Sequence, residues 1–541
     1  MTNLSRYFHT LKYLKPKQIY YRILYRIYKP KISQNVNIKK ILLRKIYSEF
    51  KFIENSIIYF NNNMATFLNH TAEINHKTIW NDKNQAGLWL YNLHYFDALQ
   101  SADLTQHQKA YDLLERWIDE NPAFLGVGWK SFPLSLRIVN IIKYALKGNV
   151  LSEKILTSLY LQARFLNKNL EYHLLGNHLF ENFKALCFAG LFFETTESAK
   201  WLKKALMGLK KEIKNQVLAD GGHFELSPMY HSIFLEGLLD LQAIFNIYNK
   251  SEKFIWSTEI SNMLTWLNLM KRSDLKISYF NDASNNLFSD PETIFNYADQ
   301  LGYKINFESK KLNYLSDSGY IIINQPNFKL ICDVGNIGPD FLPAHAHADT
   351  LSFELMIQNL PLFINLGTSC YGYSQRRQFE RSTTAHNTVE INNLNSSDVW
   401  HAFRVAKRAK IKHIDITENK NNIIINAAHN GYEKISKNLL HQRQWIIADN
   451  QIEIHDTVTK PVYSAFAYFH LHPDCEINSH ENNIIKIKLK NNIIIELITE
   501  NNITIISNQY AESFGKLINT RTIRVELDQN KLNAVVLIRL K

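Results

Sequence analysis

The chain has 541 residues, 45% of them hydrophobic and 12% aromatic, enough to bury large cores and to exclude wholesale disorder. At roughly 150 residues per domain, the length allows two to four domains. Lys and Arg number 62 against 50 Asp and Glu, a net charge of +12 that favours a polyanionic partner: nucleic acid, an acidic membrane surface or an acidic polysaccharide.

Four cysteines, Cys187, Cys332, Cys370 and Cys475, stand far apart without a CxxC pair. That spacing argues against zinc ribbons, thioredoxin-like motifs and a disulfide framework. No zinc finger, RNP-type strand or helix-turn-helix signature is present, so nucleic acid is the weakest of the three partners.

Residues 1–80 carry no readable catalytic motif. Their start, MTNLSRYFHTLKYLKPKQIYYRILYRIYKPKI, has no uninterrupted apolar run and no small-residue cleavage site. The expectation is therefore a cytoplasmic protein, with peripheral membrane or periplasmic association left open. QIYYRILYRIYK is aromatic and basic at near-helical spacing, which suits packing on the body or contact with an anionic membrane. No stretch of 18 apolar residues predicts a transmembrane helix.

From about residue 85 to 305, apolar residues recur at spacings of three and four, as in HQKAYDLLERWIDEN and SIFLEGLLDLQAIFNIY. Seven or more such helices with short joints predict a bundle, solenoid or toroid. The joints carry the polar chemistry. WLYNLHYFDAL offers Asn92 and His94, and GVGWKSFPLSLRIVN offers Trp129 and Arg137. Aromatic rings make platforms for sugars and cations pair with carboxylates, although each residue taken singly also suits a core or a solvated face.

GNHLFENFKAL begins a helix with Asn177 and His178, which can cap it or present an amide and an imidazole to a cleft. In DGGHFELSPMYHSIF, Pro228 opens a helix whose first turn carries Tyr230 and His231, with Glu225 just before it. Nearby cations and the positive helix end would lower the pKa of such a tyrosine and let it exchange a proton.

Near residue 310 the pattern changes to short Ile- and Val-rich runs split by Asn-rich turns, such as NNIIINAAH and QIEIHDTV. Many strands without intervening helices predict a large antiparallel sandwich. The expected domains are 1–80, 81–308 and 309–541, an α+β multidomain chain. In PAHAHADTLSFEL, the alternation of His345, His347 and Asp349 with Leu351, Phe353 and Leu355 predicts one continuous strand. Its two histidines would lie about 7 Å apart on one face. A buried cluster, a metal site and half an active site all fit. Asn365 and His386 downstream could complete a zinc site with a histidine.

Four stretches in order, GNHLFEN, DGGHFELSPMYH, HAHADTLSFEL and RSTTAHNTVEIN, resemble the heparinase II/III-like polysaccharide lyases, from about residue 80 onward. The resemblance implies an (α/α) toroid whose cleft is closed by an antiparallel β-sandwich, and β-elimination of a uronate-containing acidic glycan. It implies Asn177, His178, Tyr230 and His345 as catalytic residues. Asn92, His94, Trp129, Arg137, Glu225 and His231 are then candidates for substrate contact. His347, Asn365 and His386 match the positions that hold a structural zinc. Asn365 departs from the aspartate usual there, and a neutral amide is the weaker ligand. The missing export signal fits a role in capsule or exopolysaccharide metabolism. A toroid glycoside hydrolase, using Glu181 and Glu225, and a non-catalytic glycan-binding protein are the alternatives.

Overall fold

A computed structural model describes residues 3–304, 310–481 and 483–540. Eleven helices precede the large sheets among the described residues: α1 (Asn3–Leu11), α2 (Pro16–Ile27), α3 (Gly87–Tyr95), α4 (Leu104–Glu120), α5 (Ser131–Leu146), α6 (Glu153–Lys168), α7 (Gly176–Phe192), α8 (Thr196–Gln216), α9 (Pro228–Ile247), α10 (Ser257–Met270) and α11 (Pro291–Gln300). Local chemistry sets where several begin. Asp103 caps α4 through the Thr105 and Gln106 amides, Thr195 and Ser198 cap α8 reciprocally, and Ser227 caps α9 ahead of Pro228.

Helices α3 to α11 form the toroid, and α7 is its most enclosed member, packed on α5, α8 and α9. Every residue of α7 except His178 is buried, so the helix is enclosed on all sides, its buried Glu181 and Lys184 paired with each other. α7 and α8 pack closely because residue 208 is glycine: a Cβ there would stand 2.3 Å from the Phe183 ring.

Beyond the toroid, among the described residues, lie three large antiparallel sheets of five, four and eight strands, with a two-stranded pair (Val399–Trp400, Arg404–Val405). Alternation drives them together. Along Gln451–Val458 every second side chain is buried, and these residues join Phe353, Trp445, Phe469 and Ile523 in one core. The Asn-rich turns fall between strands as expected, as at Asn492 (φ 66°).

The structure departs from expectation in one strand. The strand predicted through 345–355 begins only at Phe353 (Phe353–Ile357), because Leu351 takes φ 63° and breaks the extended path. His345 and His347 therefore ride on an irregular segment. Residues 1–80 form α1, α2 and a small three-stranded sheet (Phe60–Asn61, Met64–Phe67, His70–Glu73) that packs on α3. α1 reaches the sandwich through Arg6 and Asp398 (3.0 Å), and α2 reaches the toroid through the Tyr25 hydroxyl on the Leu170 carbonyl (2.5 Å). The expected boundary at 308/309 lies outside the described residues.

Candidate active site

The site is organised by a residue the motif reading passed over. Asp282 stands in the loop after α10, beside Asn281 at φ 58°, and is fully buried. His345 meets it through Nδ1 (2.8 Å) and His347 through Nε2 (2.8 Å). Arg377, on a short helix α12 (Gln375–Glu380), closes a two-pronged pair with both carboxylate oxygens. The Thr368 hydroxyl adds a donor at 3.3 Å. Burial alone would raise the Asp282 carboxyl, but the Arg377 charge and the two histidine bonds hold it well below the usual range.

That carboxylate fixes His345. Burial lowers its pKa against the pull of Asp282, so the ring is neutral at pH 7, with its proton on Nδ1 and a lone pair on Nε2. The ring is 15% exposed and lies 3.9 Å from the Tyr230 ring, centre to centre. The Tyr230 hydroxyl bonds the Tyr371 hydroxyl at 3.0 Å, and Arg377 sits over the Tyr371 ring at 4.9 Å. Burial, and then the Asp282 charge, push the Tyr230 phenol up. This corrects the expected lowering: the positive helix end loses to desolvation, and Tyr230 rests protonated.

Asn177 and His178 enter from the toroid. Leu175 (φ 69°) and Gly176 (φ 55°) turn the chain sharply into α7. A Cβ on residue 176 would sit 2.4 Å from Leu342 and 3.0 Å from Glu225, so glycine lets the Asn177 turn approach the sandwich segment. Asn177 is 8% exposed, and its carboxamide oxygen has no partner among the described residues. His178 stacks on Phe132 at 4.4 Å, with Nδ1 3.3 Å from Glu171 but poorly aligned for a hydrogen bond. His178 lies near enough to His345 to lower its pKa.

Glu225 is buried beside this turn, and burial, then Asp282, push its carboxyl up to about 8. At neutral pH it is a neutral donor. The folded chain holds this proton more tightly than the unfolded one, so its contribution to stability is full below the ordinary value of 4.5 and is lost as pH rises through about 8. Between about pH 5 and 8 the native melting temperature should therefore fall more steeply than that of Glu225→Gln, the two running parallel above that. Curves parallel throughout would remove Glu225 as the titrating group.

Several residues expected to touch substrate belong to the core instead. His94 is fully buried, with Nε2 on the Trp80 carbonyl and Nδ1 accepting from Trp117, both at 2.9 Å. Arg137 is fully buried and donates to Gln162, the His94 carbonyl and the Gly128 carbonyl. His231 bonds the Met263 carbonyl (2.9 Å) and stacks on Trp266. The Trp129 ring packs among Trp117, Phe124 and Phe165. Asn92 donates back to Leu88 of its own helix. His94, Arg137 and His231 send their bonds into the helical layer, Trp129 packs there through its ring, and Asn92 is half-buried.

At the expected metal positions, His347 Nδ1 and His386 Nε2 face each other at 3.0 Å. Their outer nitrogens point at acceptors, the Asp282 carboxylate and the Ser382 carbonyl (2.7 Å), which requires a proton on each. Two lone pairs then converge on one point, the arrangement that a cation resolves. The third position fits less well. Asn365 is fully buried, its carboxamide oxygen accepts from the Asn387 amide (3.1 Å), and its NH2 has no partner among the described residues.

Two family models match almost end to end: Heparinase II/III N-terminus over residues 9–302, and Heparinase II/III-like, C-terminal over residues 308–538. The chain belongs to the heparinase II/III family. The match begins at residue 9, so it takes in most of the segment that carried no legible motif. Among relatives, a heparin-sulfate lyase of Bacteroides stercoris is 27% identical over 306 residues, 52% of this chain and 43% of that protein. One of Pedobacter heparinus is 28% identical over 44% of this chain and 39% of its own. The matches thus span less than half of those relatives' length. The crystal structure of a heparinase III shares the heparinase II/III fold at TM-score 0.67 and 15% identity, covering 98% of this chain and 93% of its own. A heparan sulfate lyase structure from Pedobacter heparinus aligns at TM-score 0.60 and 17% identity over 97% and 87%.

Asp282, Tyr371 and Arg377 escaped the sequence reading. Asp282 had a faint signal, an Asn-Asp pair in the loop between α10 and α11, but nothing local marks Arg377 as its partner 95 residues away.

Proposed function

We propose that this family member is a polysaccharide lyase that cleaves an acidic, uronate-containing glycan by β-elimination. One observation carries the reading: the Tyr230–His345–Asp282–Arg377 chain, drawn from both the toroid and the sandwich. The C5 proton of a uronate becomes removable only when its carboxylate charge is offset. Asn177, whose carboxamide oxygen bonds nothing, is free to turn its NH2 toward that carboxylate. A base takes the proton while Tyr230, protonated at rest, gives its own to the leaving glycosidic oxygen. His178, the solvent-reaching imidazole of α7, serves as base when proton and leaving group lie on opposite faces. Where they share a face, Tyr230 serves in both roles and His345 Nε2 takes up its proton. Glu225, as a neutral donor, supports the substrate carboxylate.

The hydrolase alternative needs two carboxylates opposed across the cleft. Glu181 is instead paired with Lys184 (2.8 Å) in the toroid core. The relatives named heparin-sulfate lyases make glycosaminoglycans the first substrates to try, with capsular and exopolysaccharide uronates beside them. A zinc ion held by His347, His386 and the Asn365 oxygen would be structural, tying the His345 segment to the sandwich.

The test is ultraviolet absorbance from a new carbon–carbon double bond, measured over a panel of uronate polysaccharides before and after chelation. Absorbance should rise on at least one polymer, and chelation should lower the melting temperature. New reducing ends without absorbance would replace the lyase by a hydrolase, and glycan binding without either product would leave a binding protein. An unchanged melting curve in metal-free protein would remove the zinc.

A further inference from the structure

The charge of this chain is concentrated at one end. Residues 1–48 contain twelve Lys and Arg and no Asp or Glu, while residues 49–541 contain 50 of each sign. The whole net charge of +12 therefore sits on α1, α2 and the segment after them.

The same helices leave an apolar face uncovered. On α1, Leu4, Phe8 and Leu11 are 82%, 65% and 54% exposed, at a spacing that puts them on one side. On α2, Ile19, Ile23 and Ile27 form a second stripe, 46%, 54% and 80% exposed. The opposite side of α2 is the one that packs: Gln18 is buried and Tyr25 bonds the toroid. Lys12, Arg22 and Arg26 are exposed among the apolar stripes. Beside α2, Lys17 and four lysines of α8 (Lys200, Lys203, Lys204 and Lys211) line a cleft of about 350 Å³.

We propose that the outer face of α1 and α2 docks on an anionic lipid bilayer, lying in its surface. A basic helix with an aliphatic face is the structure such an interface stabilises. Spanning is not involved: no helix among the described residues is long and apolar enough to cross a membrane. Leucine and isoleucine offer a charged polysaccharide no hydrogen bonds, so the glycan is the poorer occupant. A second copy would bring the same uncompensated positive charge against itself.

Docking would also place the cleft. Gln18 donates to the Leu174 carbonyl (3.5 Å) and the Phe341 carbonyl (3.4 Å), the two segments that lead into Asn177 and His345. A bilayer against α2 therefore lies beside the cleft rim, where a polymer at the membrane surface would be met.

The experiment is co-sedimentation of the full chain with phosphatidylcholine vesicles, alone or with about 30% phosphatidylglycerol, at low and high salt. The native chain should bind the anionic vesicles at least about tenfold more tightly than the neutral ones, and more weakly in high salt. The double variant Ile23→Asp, Ile27→Asp should lose this binding while keeping its melting temperature and its activity on soluble polymer, since neither residue touches the cleft cluster. The triple variant Lys12→Gln, Arg22→Gln, Arg26→Gln should weaken binding in the same way. Absent binding, equal binding to neutral vesicles or unaffected variants would overturn the proposal. Variants that lose only retention on immobilised heparin would assign the face to a polysaccharide. A native dimer made monomeric by the aspartates, without vesicle binding, would assign it to a second copy.

Discussion

Replacing Tyr230 by phenylalanine is expected to leave a folded protein that has lost turnover. Among the described residues the hydroxyl has one hydrogen-bond partner, Tyr371, while the ring keeps its tilted contact with His345 at 3.9 Å. The fold should therefore be indifferent to the change, to within about 1 kcal/mol. The chemistry should not be, because protonation of the leaving oxygen is lost. A positioned proton donor contributes about 10²–10⁴-fold, and a group that is both acid and base should lie at the upper end. The expected result is a fall in kcat of about 10³ or more with KM within a few-fold of native, since the hydroxyl acts in the transition state. A variant that turns over at even about a tenth of the native rate would remove Tyr230 as the proton donor.

Asp282→Asn should be worse for the fold than for any single contact it makes. The native carboxylate takes both prongs of Arg377 and one nitrogen from each of His345 and His347, all in a buried place. The amide keeps the shape, removes the charge, and turns an NH2 toward groups that are themselves donors. Breaking one side of such a buried pair costs about 3–5 kcal/mol, most of it the stranded guanidinium. Denaturant unfolding should show a loss of that size, and His345 should lose its fixed tautomer along with activity. Arg377→Met added to Asp282→Asn should restore part of the stability without restoring turnover, because the stranded charge is gone while His345 still lacks its partner. A single variant within about 1 kcal/mol of native would show that the cluster does not depend on this carboxylate.

The individual residues explain what could be read in advance. Asn177, His178 and Tyr230 were legible because each sits at a helix start beside a glycine or proline, and His345 because it stands in a polar alternation just after Pro343. Asp282 was not: its importance comes from Arg377 and His345, 95 and 63 residues away. His94, Arg137 and His231 looked the same in the sequence as Tyr230 and His345. What separates them is where their bonds end, on Trp80, Gly128 and Met263 inside the helical layer. The strand expected through His345 gives way to turns at 344–345 and 350–351, the latter with Leu351 at φ 63°, which no alternation of side chains could reveal.

The sequence by itself determined the helices, their caps, the alternating strands of the sandwich and the lodging of all net charge in residues 1–48. These follow from interactions within a few residues, or from simple counting. Only the tertiary structure decided which titratable groups share a carboxylate, which face of α2 stays uncovered, and that Tyr230 rests protonated. Desolvation and ion pairing depend on what distant segments bring to the same place, and that is fixed only when toroid and sandwich close on each other.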